Sequence, residues 1–319
     1  MTVNRIEIID RLKGFAILWV VLGHYVLHSL GQKDMLAEII GSFHMPLFMF
    51  LSGYVVSATP SFSKCCKKVV SFMLPMTCVG VIYAFFIGSS LYGFIHSPYK
   101  HGYWYLYVLT VFYIMLYAIG TIGGGILRQV AAAVFVFVVF CSADKLISAE
   151  WNDIFSVWMM KQYWLFFITA HFLRRYNLFL SLLNKRGVFS ISLIGYVLGF
   201  LLYLQGIGHL FYLNAMLFIV AISFVFLFTK DSNRRVMSAL SCMGRHTLDI
   251  YLFHFFIISM TSLSSFGCWL ALTGNMFIEL LSGVAYSFMV AYICMMVGRI
   301  IHLSGFFNNI VFGRFVNSL

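Results

Sequence analysis

Residues 10–28 read "DRLKGFAILWVVLGHYVLH". An apolar run of this kind is a helix bound for a membrane, yet Asp10, Arg11 and Lys13 stand at its mouth and His24 and His28 lie within it. Ionisable groups in hydrocarbon are costly and face a protein interior or a wet cavity. At about 100° per residue, Asp10, Lys13, His24 and His28 fall within a sector of about 60°, and Arg11 lies off it. Away from that sector the helix carries Leu18, Trp19 and Leu22, suited to lipid or to apolar packing, while Ile17 falls among the polar groups. Eleven residues separate Lys13 from His24, a rise of about 16 Å that puts the imidazole near mid-membrane. Such a stripe requires a polar groove along the bundle.

The rest of the chain agrees with this placement. Hydrophobic residues make up 62% of the 319, charged residues only 10%, and the mean hydropathy is +0.94, whereas a soluble domain carries about 25% charge. The expected fold is all-α, a polytopic membrane bundle forming one domain over 1–319. The net charge of +11 is spread singly and in pairs between apolar runs, which points to membrane lipid headgroups and phosphorylated ligands, not nucleic acid. The seven cysteines show no zinc-ligand spacing and read as small apolar fillers. The first run has no small-x-small cleavage pattern and is expected to stay as an uncleaved span.

About 20 apolar residues cross a hydrocarbon core of about 30 Å. About ten transmembrane helices are expected, over 14–31, 39–59, 69–91, 103–122, 130–142, 154–173, 187–204, 209–229, 247–263 and 275–298. With both termini cytoplasmic, the outer side receives Lys33, Lys100, Lys145 and Lys161, leaving 17 of the 21 basic residues inside, as the positive-inside rule requires. On the outer side, Tyr103, Trp104, Tyr105, Trp151, Trp158, Tyr163 and Trp164 read as an interfacial belt, and His96, Lys100 and His101 as a solvated loop. Pro46 and Pro75 are expected to bend their helices.

Two further histidines lie inside spans. His44 in "FHMPLFMFLSGYV" is expected to approach His24 or His28 from the neighbouring antiparallel helix. In "MGRHTLDIYLFH" Thr247 reads as an N-cap, with Asp249 favoured by the helix dipole. His254 has no such structural reason to be there.

These stretches resemble the acyltransferase 3 family of integral membrane O-acyltransferases. "IDRLKGFAILWVVLGH" is similar to its first span, a basic residue followed after ten residues by histidine, here Lys13 and His24. "FHMPLFMFLSGYV" and "MGRHTLDIYLFH" look like its second and late spans. "SKCCKKVVSFMLP" is similar to its basic turn before span three, and "YWYLYVL" is a looser match to its fourth. The resemblance implies transfer of an acyl group, usually acetyl from acetyl-CoA, to a hydroxyl, often on a carbohydrate, in a bacterial cytoplasmic (inner) membrane. No permanently bound cofactor is implied; acetyl-CoA is the donor substrate. Where the family favours arginine, this chain has Lys13 and the turn Lys64, Lys67 and Lys68, which meet phosphate as point charges and not as bidentate forks.

The residue chemistry assigns roles on the same lines. An alcohol attacking a thioester needs a base for its proton, and a neutral imidazole suits that, so His24 is the expected general base. Asp10 lies about 21 Å along the axis from it, so the group that orients His24 must come from another helix. Lys13, Arg11, Lys64, Lys67 and Lys68 are candidates for the donor's phosphates; His28, His44 and His254 are candidates to line the channel. A transporter would use intramembrane histidines equally well, but its marks, repeat-related halves with paired broken helices, are not in the sequence. No His-x-x-x-His pair with a nearby carboxylate supports a metal site.

Overall fold

The computed structural model describes residues 2–29, 35–56, 58–206, 210–229, 234–261, 267, 269 and 275–313. The helices among them are α1 (Thr2–Ser29), α2 (Met35–Gly41), α3 (His44–Tyr54), α4 (Phe62–Phe86), α5 (Leu91–His96), α6 (Trp104–Thr121), α7 (Ile126–Leu146), α8 (Ala149–Phe155) and α9 (Val157–Arg175). They continue with α10 (Leu178–Leu183), α11 (Val188–Leu204), α12 (Phe211–Phe228), α13 (Arg234–Arg245), α14 (Thr247–Met260), α15 (Met276–His302) and α16 (Gly305–Phe312). No strand occurs among the described residues. Lys33 of the outer set, and Lys230 and Arg314 among the 17 inner basic residues, lie outside them.

Within the described residues each of the ten apolar stretches falls largely on helix. Among those residues seven segments are long and apolar enough to cross a membrane: Glu7–Ser29, Met35–Tyr54, Phe62–Phe86, Trp104–Thr121, Ile126–Leu146, Phe211–Phe228 and Met276–His302. α11 and α14 are apolar but shorter, and α9 carries Lys161, Arg174 and Arg175. These seven make the chain an integral membrane protein.

Two local expectations change. The second stretch is α2 and α3 in series, broken at Ser42 and Phe43, whose φ/ψ of −136°/−26° is not helical. Pro46 therefore sits in the first turn of α3, where a missing N–H costs no helical hydrogen bond, and does not bend a continuous helix. Pro75 does lie inside one, α4. Thr247 is not an N-cap: that position is held by His246 without a side-chain cap. The Thr247 hydroxyl instead donates to the Gly244 carbonyl at 3.3 Å.

The chain divides into two compact units, Met1–Val55 with Thr169–Met296, and Val56–Ile168 with Val297–Leu319. In the first, α1 is the central element. Leu12, Ala16, Ile17, Val20, Val21, Leu22, Tyr25 and Val26 are all buried, so the face opposite the polar stripe packs against protein and not lipid. α13 touches α1 backbone to backbone. A Cβ added to Gly14 would lie 2.0 Å from the Leu240 carbonyl oxygen, and one added to Gly244 only 1.7 Å from that of Asp10. Small residues permit such close approach where membrane helices cross.

The second unit has an aromatic core in which Phe112 meets Trp164 and Phe167 at ring-centroid distances of 5.2 and 5.3 Å. Here the expected belt gives way. Trp164 is wholly buried, with its indole N–H donating to the Ala133 carbonyl at 3.0 Å. Tyr103, Trp104, Tyr105 and Tyr163 are buried too. An indole can leave the interface once a carbonyl takes its N–H. Trp151 alone of the set stays largely exposed.

The expected solvated loop is also ordered. Lys100 is 4% exposed, and its ammonium donates to the carbonyls of Ile95, Ser97 and Asp153 at 2.7–2.8 Å. Burial lowers its pKa to about 8, against an opposing pull from Asp153. His101 shares a hydrogen bond with the Ser89 hydroxyl at 3.1 Å. Lys100 and His101 hold left-handed backbone, φ 46° and 48°, a costly conformation for such side chains that the ammonium's three bonds hold in place.

Candidate active site

α1 carries His24 half-buried into the first unit. Its ring centroid lies 5.3 Å from that of His254 and 4.5 Å from that of Phe255, both on α14. His254 is fully buried. Its Nδ1 lies 3.0 Å from the Ile250 carbonyl oxygen and 2.8 Å from that of Tyr251. A carbonyl only accepts, so Nδ1 must carry the proton, and the neutral ring keeps a bare lone pair on Nε2. That Nε2 is buried and has no hydrogen-bond partner among the described residues.

His44, half-buried on α3, has its Nδ1 held in the same way. Its Nδ1 donates to the Ile40 carbonyl at 2.7 Å, which again leaves Nε2 as the acceptor. That nitrogen lies 3.9 Å from where a Cβ of Gly23 would stand, an ordinary contact distance that puts the imidazole against α1 next to His24. His28, one turn beyond His24, is exposed near the end of α1. Thus His24, His44 and His254 converge and His28 stands at their margin.

At the other end of the stripe, Lys13 is half-buried. Arg11 is 7% exposed, and its guanidinium donates to the Glu7 carboxylate at 2.5 Å. One turn of helix separates the two, the spacing at which an acid and a base face each other. A cleft beside this end is lined by Ile8, Ile9, Leu12, Tyr54, Phe179 and Ser223. Its walls are apolar and suit hydrocarbon, not phosphate. In the second unit, Lys64, Lys67 and Lys68 occupy the first two turns of α4, Lys64 and Lys68 exposed and Lys67 half-buried. Cations at a helix N-terminus oppose the macrodipole, so this placement does not serve the stability of the helix.

Two histidine sites escaped the reading of the sequence. His246 donates from Nδ1 to the buried Asp249 carboxylate at 2.6 Å, and this pair, not a dipole interaction alone, accounts for Asp249. The i, i+3 spacing was visible and points to it. His171 on α9 is fully buried; its place in an apolar stretch was the available signal. Among the described residues no cluster of three or more His, Cys, Asp or Glu is arranged to hold a metal.

No curated protein and no solved structure matches the chain. The family model of the acyltransferase domain matches residues 6–299, a range that takes in the lysine turn, the three converging histidines and nearly all of α1 and α15. By that match the chain belongs to the acyltransferase 3 family and is a membrane acyltransferase.

Proposed function

We propose that this acyltransferase moves an acetyl group from cytoplasmic acetyl-CoA to a hydroxyl of a surface or secreted glycan, with His24 as general base. The observation that carries the reading is the half-buried His24 ring, 5.3 Å from the buried His254 ring whose Nε2 has no partner among the described residues, on a helix whose stripe ends at Lys13. His24 takes the hydroxyl proton as the oxygen attacks the thioester carbonyl. The tetrahedral intermediate collapses, the C–S bond breaks, and the proton passes from His24 to the departing thiolate. Ester and free CoA result, and the imidazole is neutral again.

In this reading Lys13 serves the donor's phosphates at the inner end of the stripe. Arg11 contributes through its long-range charge, since Glu7 already takes one of its nitrogens. Lys64, Lys67 and Lys68 supply further positive charge for phosphate, and His28 and His44 line the acceptor's approach. Ten spans with both termini cytoplasmic, in a bacterial inner membrane, accord with the charge bias of the loops. Replacing His24 with Ala is expected to lower acetylation by about 10²–10⁴-fold while the protein inserts and accumulates normally. Mass spectrometry of surface glycans reads this out, and full acetylation in that variant overturns the assignment. Transport without chemistry is excluded if membranes release free CoA from acetyl-CoA only when acceptor is added.

A further inference from the structure

We propose that His254 is the positioning residue that selects the tautomer of His24, by accepting a hydrogen bond from it at Nε2. The inference rests on the reading of His24 as the base and goes beyond it by naming the group that orients that base. A neutral imidazole has one N–H and one lone pair, and a general base must present the lone pair to its substrate. In isolation the two tautomers interconvert, and a share of the molecules presents the wrong nitrogen. Something must hold the N–H. No carboxylate does so here: among the described residues His24 makes no hydrogen bond to one, and α1 itself offers only Glu7 and Asp10, both far down the axis.

His254 has the properties the role requires. Two backbone carbonyls of its own helix hold its Nδ1–H, so its ring can neither flip nor change tautomer without stranding a buried donor, a penalty of about 1–3 kcal/mol. Nε2 is therefore fixed as an acceptor. It is buried without a partner among the described residues, and an unmet buried acceptor is itself costly. The facing ring that offers an N–H is His24, at 5.3 Å between centroids and 36° between planes. In the proposed state His24 turns about its side-chain torsions to donate to that Nε2, which leaves its other nitrogen as the lone pair for the acceptor hydroxyl. The remaining groups facing His24 are His44, whose Nδ1–H is likewise committed to a carbonyl, His28 on the same helix, and the apolar Phe255. None of them combines full burial with an empty acceptor.

The test uses the full-length protein in lipid nanodiscs with its histidine rings labelled with nitrogen-15. The His24 and His254 signals are assigned from their disappearance in His24→Ala and His254→Gln. In the wild type, His254 is expected to show a protonated Nδ1 and a bare Nε2, and His24 a single tautomer. His254→Phe, which keeps the bulk and removes the acceptor, should give a His24 signal averaged over two tautomers and lower glycan acetylation by about 10²-fold, the usual scale for a misoriented catalytic group. His254→Gln returns an acceptor near the Nε2 position and should restore the single tautomer and most of the activity. A protonated Nε2 on wild-type His254 overturns the proposal whether or not any variant folds, as does a His24 signal unchanged by His254→Phe. Either result leaves the general-base reading standing, whereas full acetylation in His24→Ala removes that reading and leaves the ring signals to be judged alone.

Discussion

Adding one methyl group at Gly244 tests how tightly α1 is seated. The Cβ of Gly244→Ala would fall 1.7 Å from the Asp10 carbonyl oxygen, and that of Gly14→Ala 2.0 Å from the Leu240 carbonyl oxygen. Carbon and oxygen of this kind do not approach within 3.0 Å, so α1 and α13 must part by at least 1.3 Å in the first case and 1.0 Å in the second (3.0 − 1.7 and 3.0 − 2.0). The obstacle is backbone on both sides, which cannot swing away as a side chain can. Overpacking of this sort costs about 1–3 kcal/mol, or a fall in Tm of roughly 2–10 °C by the usual size scaling. The two contacts lie within one helical crossing, so a gap opened for one accommodates the other. The double variant should therefore lose about as much as Gly244→Ala alone, a failure of additivity expected for coupled sites. Because α1 carries Lys13 and His24, a displacement near 1 Å should also lower acetylation by about 10²-fold. Thermal unfolding in detergent supplies the first readout and glycan mass spectrometry the second. Gly41→Ala is the control, since nothing lies within 4 Å of its added methyl. If Gly244→Ala melts with Gly41→Ala, or the two crossing variants add in full, the helices are not in backbone contact and the argument fails.

Other outcomes follow from the contacts of single residues. Lys100→Met fills the same space but leaves three carbonyls without their ammonium, and should lower the thermal stability of the chain by a few kcal/mol, at about 1–3 kcal/mol for each unmet buried group. The pH dependence has a definite sign: with a folded pKa of about 8 and an unfolded value near 10.4, the unfolded chain holds the extra proton between those limits. Stability from this group thus rises with pH over that window and is flat below it. The Tm difference between wild type and Lys100→Met should widen from pH 8 to about 10, and a narrowing would refute the assignment. Thr247→Val should leave Tm nearly unchanged, because Thr247 does not cap α14, whereas Asp249→Ala strands the His246 N–H and should cost about 1–3 kcal/mol; equal losses would restore Thr247 as the cap.

The sequence disclosed what depends on periodicity and burial along one chain. Helical class, the apolar stretches and the shared face of Lys13 and His24 all follow from the 3.6-residue repeat, and the family from motifs in order. What it withheld depends on which backbone groups meet in space. Nothing in "KHG" at 100–102 says that carbonyls from residues 95, 97 and 153 converge on one ammonium, and charge alone suggested solvation. Trp164 read as interfacial because most membrane tryptophans are; the Ala133 carbonyl that takes its N–H lies 31 residues away. For the same reason the orienting group of His24 had no signature. It is an imidazole on a helix more than two hundred residues distant, and its role is set by backbone carbonyls, which every residue possesses.

That last point bears on why three histidines meet here while, among the described residues, no carboxylate is hydrogen-bonded to His24. In an acyl transfer the alcohol enters neutral and the ester leaves neutral, and the base holds the proton only between attack and departure of the thiolate. A carboxylate beside His24 would stabilise the imidazolium, which favours removal of the alcohol's proton but slows its return to the leaving group, and a thiolate departs readily enough that the second effect decides here. Neutral Nε2 acceptors orient the ring without trapping the charge. A proton-coupled transporter has the opposite requirement, a site that keeps its proton while the protein changes conformation. His254→Asp and His254→Glu separate these demands, because each places an anion next to His24. They should hold the imidazolium and depress acetyl transfer below the level of His254→Gln, though all three offer an acceptor. Acetylation by either acidic variant at or above that of His254→Gln would mean that charge on the base is not what the site is built to release.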